Sequence, residues 1–190
     1  MFGDPTVIND GHTFGESAKK LIRGPFGSSL KKEFFVPKGE NTFKVYEQKH
    51  AIEDRENIGS YYIDYSRYQS MKRFSVEPGD IIMSCSGTIG RTHKITKESE
   101  KGVINQALLL IKLNETKCNE TFFMKQMSYM LDNLSTSGSA ITNISSIKIL
   151  EKMNFLLPPI KLQNKFADFV KQIDKSKLNK AFITQIWNLY

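Results

Sequence analysis

The sequence predicts an α+β fold, a compact mixed domain that carries a twisted sheet and is followed by a long coiled-coil-type helix. Short β-prone runs bounded by turn residues fill most of the chain. Apolar residues at helical spacing dominate its end, from about Lys161 onward. With 190 residues, 39% of them hydrophobic, the chain can bury a real core. We therefore divide it into a peripheral segment (1–20), a mixed domain (21–159) and a helix (160–190).

The predicted strands lie between turn formers. Residues 1–20 are rich in turn residues, such as Asp4-Pro5, and poor in apolar ones. Pro78 and Gly79 suit the two central positions of a type II turn, directly before a short apolar run. The charged stretch 54–59 is predicted to be a loop. Five segments are predicted as strands: Phe43–Gln48, Tyr61–Ile63, Ile81–Met83, Val103–Leu113 and Asn154–Leu157.

Helices are predicted where apolar residues recur three or four positions apart. Asn119 is a suitable N-cap for a helix that ends near Leu134, and a short helix is expected over residues 147–152. The last helix repeats apolar residues as a coiled-coil seam does. A projecting helix of this kind needs a partner, because large bare apolar patches are costly in water. The predicted interface consists of Leu162, Phe166, Phe169, Ile173, Phe182, Ile183, Ile186 and Trp187.

Composition narrows the class of protein. The formal net charge is +7 and the pI is near 9.3, which favours nucleic acid or another acidic surface as the partner. The two cysteines, Cys85 and Cys118, form no CxxC pair, which argues against a disulfide framework and against a structural zinc site. No membrane span or signal-peptide segment is recognisable. The cytoplasm is the expected compartment.

Three polar loops carry the functional prediction. The segments Arg23–Lys32 and Ser84–Arg91 combine glycine and serine with cations, and residues 138–146 form a third loop rich in small polar residues. Small neighbours allow close approach of a phosphate backbone, hydroxyls can bind it, and arginine can also read a guanine edge. Each loop could equally be an ordinary solvated connection.

In this order, the three loops resemble the target recognition domain of type I restriction–modification specificity subunits. The resemblance extends through Gly102–Leu108 and Leu156–Pro159, and it ends in the helix that begins near Lys161. It covers the chain from about Leu21 to the C-terminus. No single motif in it is specific, whereas the ordered set is.

The resemblance implies sequence-specific binding of double-stranded DNA without a catalytic centre or a cofactor. Members of the family direct a methyltransferase subunit, and through it a restriction subunit, to the target. Full-length members carry two recognition domains and two conserved helical regions, and their helix sets the domain spacing and docks the methyltransferase. This chain has one of each, which predicts a half-subunit or fragment that forms a homodimer through its C-terminal helix.

The candidate DNA-binding residues are polar, cationic or aromatic side chains in or near these loops. Asn105 and Gln106 could bond bases or could satisfy loop backbone groups, and Gln48 and Asn143 could pair with adenine. Tyr62 and Arg67 provide the aromatic and cationic mixture of nucleic-acid surfaces. The full set is Arg23, Ser28, Ser29, Lys31, Lys32, Lys44, Gln48, Tyr62, Arg67, Ser84, Ser86, Thr88, Arg91, Asn105, Gln106, Ser139 and Asn143.

Two alternatives from other classes stay open. The chain could be a non-DNA interaction module whose coiled coil is the working surface. It could also be a magnesium-dependent nuclease that uses Asp80, Glu115 and Lys117, although their separation is long. The histidines are scattered and no GxGxxG motif is present, so cofactor chemistry has no support.

Overall fold

The computed structural model describes residues 4–5, 10–134 and 147–175, and it confirms the α+β class. The strands of the described part are β1 (Ala18–Arg23), β2 (Thr42–Tyr46), β3 (Tyr62–Asp64), β4 (Ile81–Ser84), β5 (Thr92–Lys94), β6 (Gly102–Ile104) and β7 (Leu108–Leu113). The helices there are α1 (Gln48–Glu53), α2 (Tyr65–Ser70), α3 (Glu120–Leu134), α4 (Ile147–Glu151) and α5 (Ile160–Lys175).

The described residues form two compact units. Residues 20–112 make up the sheet unit, and residues 4–5, 10–19, 113–134 and 148–175 make up the helical unit. Both sheets lie in the sheet unit, which holds most residues of every strand. None of the helices in the described part is long and apolar enough to cross a membrane.

The sheet unit contains one sheet of four strands, in the order β1-β7-β4-β5, and one of three, in the order β3-β2-β6. Strand β4 runs antiparallel to both β5 and β7, whereas β2 pairs antiparallel with β3 and parallel with β6. Helix α1 packs on β4 and β5. The main core cluster includes Tyr46, Ile82, Ile104 and Leu110, which are fully buried.

The turn before β4 forms as predicted. The Asp80 N–H donates to the Glu77 carbonyl at 3.0 Å, and Gly79 has a φ of 95°, which a type II turn requires. All four residues of β4 are buried, as the apolar run Ile81–Met83 predicted. Burial raises the pKa of Asp80, although the Glu77 N–H and Lys112 Nζ both donate to its carboxylate.

The prediction of a single strand over Val103–Leu113 is wrong. The run forms β6 in one sheet and β7 in the other, and a turn at residues 105–107 separates them. Asn105 makes this turn, since its Oδ1 accepts the Ala107 N–H at 3.0 Å and its carbonyl accepts the Leu108 N–H at 3.2 Å. A local side-chain bond of this kind competes with the strand ladder.

A buried ion pair ties β2 to the segment before β6. Lys44 is 3% exposed, and its Nζ lies 3.1 Å from Glu100 Oε1. Lys38 Nζ and the Tyr62 hydroxyl also donate to the Glu100 carboxylate. Burial raises the pKa of Glu100, but these hydrogen bonds outweigh burial and lower it to about 2.

Replacement of Glu100 by glutamine should lower the free energy of unfolding by about 2 kcal/mol at neutral pH, because Lys44 would stay buried without its counter-charge. The ion pair stabilises the fold at pH values above 4.5, the ordinary pKa of the carboxyl group, and this stabilisation is lost as the pH falls toward 2. Denaturant unfolding as a function of pH measures both effects. Glu98→Gln, at an exposed position, is the matched control, and equal stability of the two variants would contradict the prediction.

The helical unit is held by aromatic contacts. Asn119 caps α3 as predicted, since its Oδ1 accepts the Phe122 N–H at 3.2 Å. Phe14 is fully buried, although it lies in the segment expected to be peripheral, and it packs on Phe123 and Phe155 with ring centroids 5.6 and 5.4 Å away. Phe122 meets Phe166 of α5 edge to face at 5.7 Å.

Residues 154–157 do not form the predicted strand. The Phe155 N–H donates to the His12 carbonyl and the Leu157 N–H to the Asp10 carboxylate, and Asn154 makes only an isolated bridge to Thr13. Because the Leu157 N–H bonds to the Asp10 side chain and not to a backbone carbonyl, no continuous ladder of backbone hydrogen bonds forms. Pro158, which has no N–H, follows directly.

Helix α5 begins where the sequence predicts, and its own chain covers much of its apolar face. Phe166 and Ile173 are buried, and Leu162 is half-buried, so these predicted interface residues pack within the unit. Phe169 is 39% exposed. The remaining predicted interface residues, Phe182, Ile183, Ile186 and Trp187, lie outside the described residues, and so does the predicted coiled-coil part of the helix.

Candidate nucleic-acid interface

The turn at residues 105–107 is the point where the polar segments of the sheet unit meet. The Arg23 guanidinium donates to the Leu108 carbonyl at 3.1 Å, and the Gly24 N–H donates to the same oxygen at 2.9 Å. The Cys85 N–H donates to the Ala107 carbonyl at 2.8 Å. Two of the predicted loops are therefore fixed to one turn by backbone bonds, although residues 33–83 separate them in the sequence.

The loop from Arg23 to Lys32 begins against this turn. A side chain at Gly24 would overlap the carbonyl oxygen of Asn105, so the close approach requires glycine. Pro25 and Leu30 are buried, whereas the segment between them faces outward. Of the predicted contacts in this loop, Ser28, Lys31 and Lys32 are exposed, Ser29 and Arg23 are half-buried, and Lys31 lies 3.8 Å from Glu33.

The loop from Ser84 to Arg91 is closed by its first residue. Ser84 is fully buried, and its hydroxyl donates to the Thr88 carbonyl at 2.5 Å and accepts the Arg91 N–H at 3.0 Å. Ser84 therefore shapes the loop from inside. Thr88 is exposed at the tip, and Ser86 and Arg91 are half-buried.

A cleft of about 180 Å³ opens beside the central turn. Its wall combines aromatic and aliphatic groups with a lysine, a carboxylate and two amides. Gln106 is exposed at its edge and Asn105 is half-buried. The lining residues are Leu30, Lys32, Phe35, Val45, Glu47, Tyr61, Asn105 and Gln106.

Aromatic rings line this side of the sheet unit. Tyr61 stacks on Phe35 with ring centroids 4.5 Å apart, and it is 37% exposed. The Arg67 guanidinium carbon lies 3.5 Å from the centroid of the Phe34 ring, a cation–π contact that holds a predicted DNA-contacting arginine against an aromatic ring. These rings give the surface faces on which bases can stack.

Two further predicted DNA-binding residues belong to the interior. Lys44 is buried in its ion pair with Glu100, and Tyr62 is 5% exposed with its hydroxyl on the same carboxylate. The alternation of apolar and polar residues along the predicted strands does not show that Lys44 and Tyr62 are buried, because the carboxylate that binds both comes from a distant part of the chain. Gln48 is half-buried at the start of α1, and its Oε1 has no hydrogen-bond partner among the described residues. Ser139 and Asn143 lie outside the described residues.

Two of the histidines of the described part, His50 and His93, and both cysteines are buried. His50 is buried against the carbonyls of Glu47 and Ile58, and burial lowers its pKa. His93 lies 2.8 Å from the Asp54 carboxylate. Burial raises the pKa of Cys85 to about 11 and that of Cys118 to about 12, and both thiols are free.

Sequence reasoning missed the most exposed large hydrophobic side chain of the described residues. Phe26 is 89% exposed in the middle of the first polar loop. The sequence feature that could have indicated its exposure is its position between Pro25, which restricts the backbone, and Gly27, which lacks a side chain. Tyr61, which the sequence placed in a predicted strand, and Phe35 line the cleft beside the central turn.

Comparison with known proteins identifies one family. The model of the type I restriction modification DNA specificity domain matches residues 27–188. A comparison with curated proteins finds no significant match.

Solved structures share the fold. A chain from a structural study of complex assembly and conformational transition of the type I R-M system is similar over 94% of this chain, with a TM-score of 0.67 and 17% identity. The HsdS subunit from Thermoanaerobacter tengcongensis is similar over 93% (TM-score 0.58, 16% identity), and the type I S subunit from M. genitalium over 90% (TM-score 0.55, 14% identity). The chain spans 40%, 39% and 42% of the length of these three chains.

Proposed function

We propose a function from the premise that this chain belongs to the family of type I restriction modification DNA specificity domains. The chain binds double-stranded DNA at a specific sequence and directs partner methyltransferase and restriction subunits to it. Residues 21–159 form the recognition domain, and the region 160–190, which begins with α5, spaces it from a second domain. Methyl transfer and cleavage belong to the partner subunits.

The convergence of two polar loops on one turn is the observation that supports DNA reading most strongly. Gln106 provides an exposed amide group at the turn, Asn105 provides a half-buried one whose oxygen also holds the turn, and the flanking loops provide the exposed side chains of Lys31, Lys32 and Thr88. Amides pair with base edges, whereas lysines and hydroxyls hold phosphates. The convergence therefore supports a surface on which amides read bases and the flanking loops anchor phosphates.

The C-terminal helix is the proposed site of assembly. Phe169 is exposed on α5, and an apolar side chain there suits contact with another helix. Two copies that pair through this helix would form a two-fold symmetric dimer, and its two identical domains would read an interrupted palindrome. The methyltransferase subunit docks on the same helical region.

Selection from randomised DNA duplexes tests the proposed function. The chain should enrich a short common motif, and a duplex that carries the motif should bind more tightly than a scrambled duplex of equal length. Failure to enrich any motif would contradict sequence reading. Magnesium-dependent loss of the duplex would point instead to a nuclease.

Two single substitutions should separate reading from anchoring. Gln106→Ala should weaken binding to the selected motif about ten-fold, and competition with single-base variants should show that the loss is confined to one position. Lys32→Ala should weaken all duplexes alike. Lys97→Ala, another exposed lysine of the sheet unit, is the charge-matched control. Equal losses on every duplex for Gln106→Ala would make Gln106 a backbone contact.

A further inference from the structure

Phe26 is held outward by a loop that is otherwise anchored. Its neighbour Pro25 is buried, and Leu30 is buried at the other end of the same loop. The Ser29 N–H donates to the Phe26 carbonyl at 2.9 Å, which closes a tight turn over residues 27–29. Two residues before Phe26, Gly24 lies against Asn105. The ring is therefore presented on a fixed backbone.

The surroundings of Phe26 indicate an anionic partner. Ser28, Lys31 and Lys32 follow it in the same loop and are exposed, and the loop begins beside the backbone of Asn105 and Gln106. An apolar protein surface would take the charges of Lys31 and Lys32 out of water without a matching acidic surface, which is costly. A DNA groove offers phosphates to the lysines and base edges to the amides.

We propose that Phe26 reads a thymine by contact with its C5-methyl group in the major groove. This inference rests on the proposed function and adds a specificity-determining residue to it. The thymine methyl is the apolar group among the base edges of that groove, and apolar side chains, phenylalanine included, discriminate through it. Pro25 and the packing of Gly24 on the Asn105 backbone already order the loop, so less entropy is lost when the ring is buried.

The test compares thymine with uracil, which lacks only the methyl group. The wild-type chain and Phe26→Ala are each used to select motifs from randomised duplexes. The wild-type motif should contain one thymine whose replacement by uracil weakens binding about four-fold, the effect of one buried methyl group. Phe26→Ala should bind the thymine and uracil duplexes equally. Phe26→Leu, which keeps an apolar contact, should recover part of the preference.

Several outcomes would overturn the inference. If Phe26→Ala keeps the full preference for thymine over uracil, Phe26 does not read the methyl group. If 2-aminopurine in the site brightens with the wild-type chain and stays dark with Phe26→Ala, the ring is a wedge between bases. If the wild-type chain enriches no motif at all, the proposed function itself fails. Equal thermal unfolding of the variants and the wild type is the required control, since Phe26 is 89% exposed.

Discussion

An increase in salt concentration from about 50 mM to about 200 mM should weaken duplex binding by the chain about 100-fold. The reason is counterion release: each phosphate that a cation neutralises contributes about −0.9 to the slope of log K against log salt. The loops around the central turn carry Arg23, Lys31, Lys32 and Arg91, and the chain has a net charge of +7. About four phosphate contacts would give a slope of roughly −3 to −4.

Equilibrium binding at several salt concentrations measures this slope. The double variant Lys31→Ala, Lys32→Ala should reduce its magnitude by about two. The matched control is Lys97→Ala, Lys101→Ala, which removes the same charge from exposed positions. Lys101 precedes β6, whereas Asn105 follows it, so this control charge lies at the opposite end of the strand. If the affinity for the duplex does not change with salt concentration, DNA is not the partner. If the two double variants have equal slopes, the phosphate contacts lie at residues other than Lys31 and Lys32.

Features that depend on neighbours in the sequence were predictable. The Pro78-Gly79 turn, the buried strand after it, the Asn119 cap and the start of α5 each follow from a few consecutive residues. Turn, cap and periodicity rules describe local backbone preferences, so they succeed where tertiary contacts agree with them. The family resemblance likewise depended on ordered local segments, and the family model supports it.

Features that depend on distant partners were not predictable. Lys44 is an interior residue because Glu100, 56 positions away, holds it. The apolar run Val103–Leu113 gave no sign of the change of sheet at Asn105, since both β6 and β7 are buried. A single sequence contains no information on which loops meet, so the convergence on residues 105–107 could not be derived from it.

This convergence predicts an unusual sensitivity at Gly24. Gly24→Ala should lower the free energy of unfolding by about 2–3 kcal/mol, because the added methyl group would overlap the backbone carbonyl of Asn105 and force the loop away. For a chain of this size, that loss corresponds to a melting temperature roughly 5–10 °C lower. The displaced loop would also lose the Gly24–Leu108 hydrogen bond.

Gly39→Ala is the matched control, because a methyl group there meets no atom within 4 Å and the backbone φ is one that alanine adopts readily. Its stability should stay within about 0.5 kcal/mol of the wild type. Thermal unfolding of the three proteins decides the matter. If Gly24→Ala melts with the wild type, the loop can move off the turn at no cost, and the polar groups of Arg23–Lys32 are not positioned by Asn105. A second outcome is that Gly24→Ala melts at a lower temperature and its folded molecules enrich no motif, whereas Gly39→Ala enriches the wild-type motif. In that case the packing of Gly24 on the turn positions the DNA-reading surface.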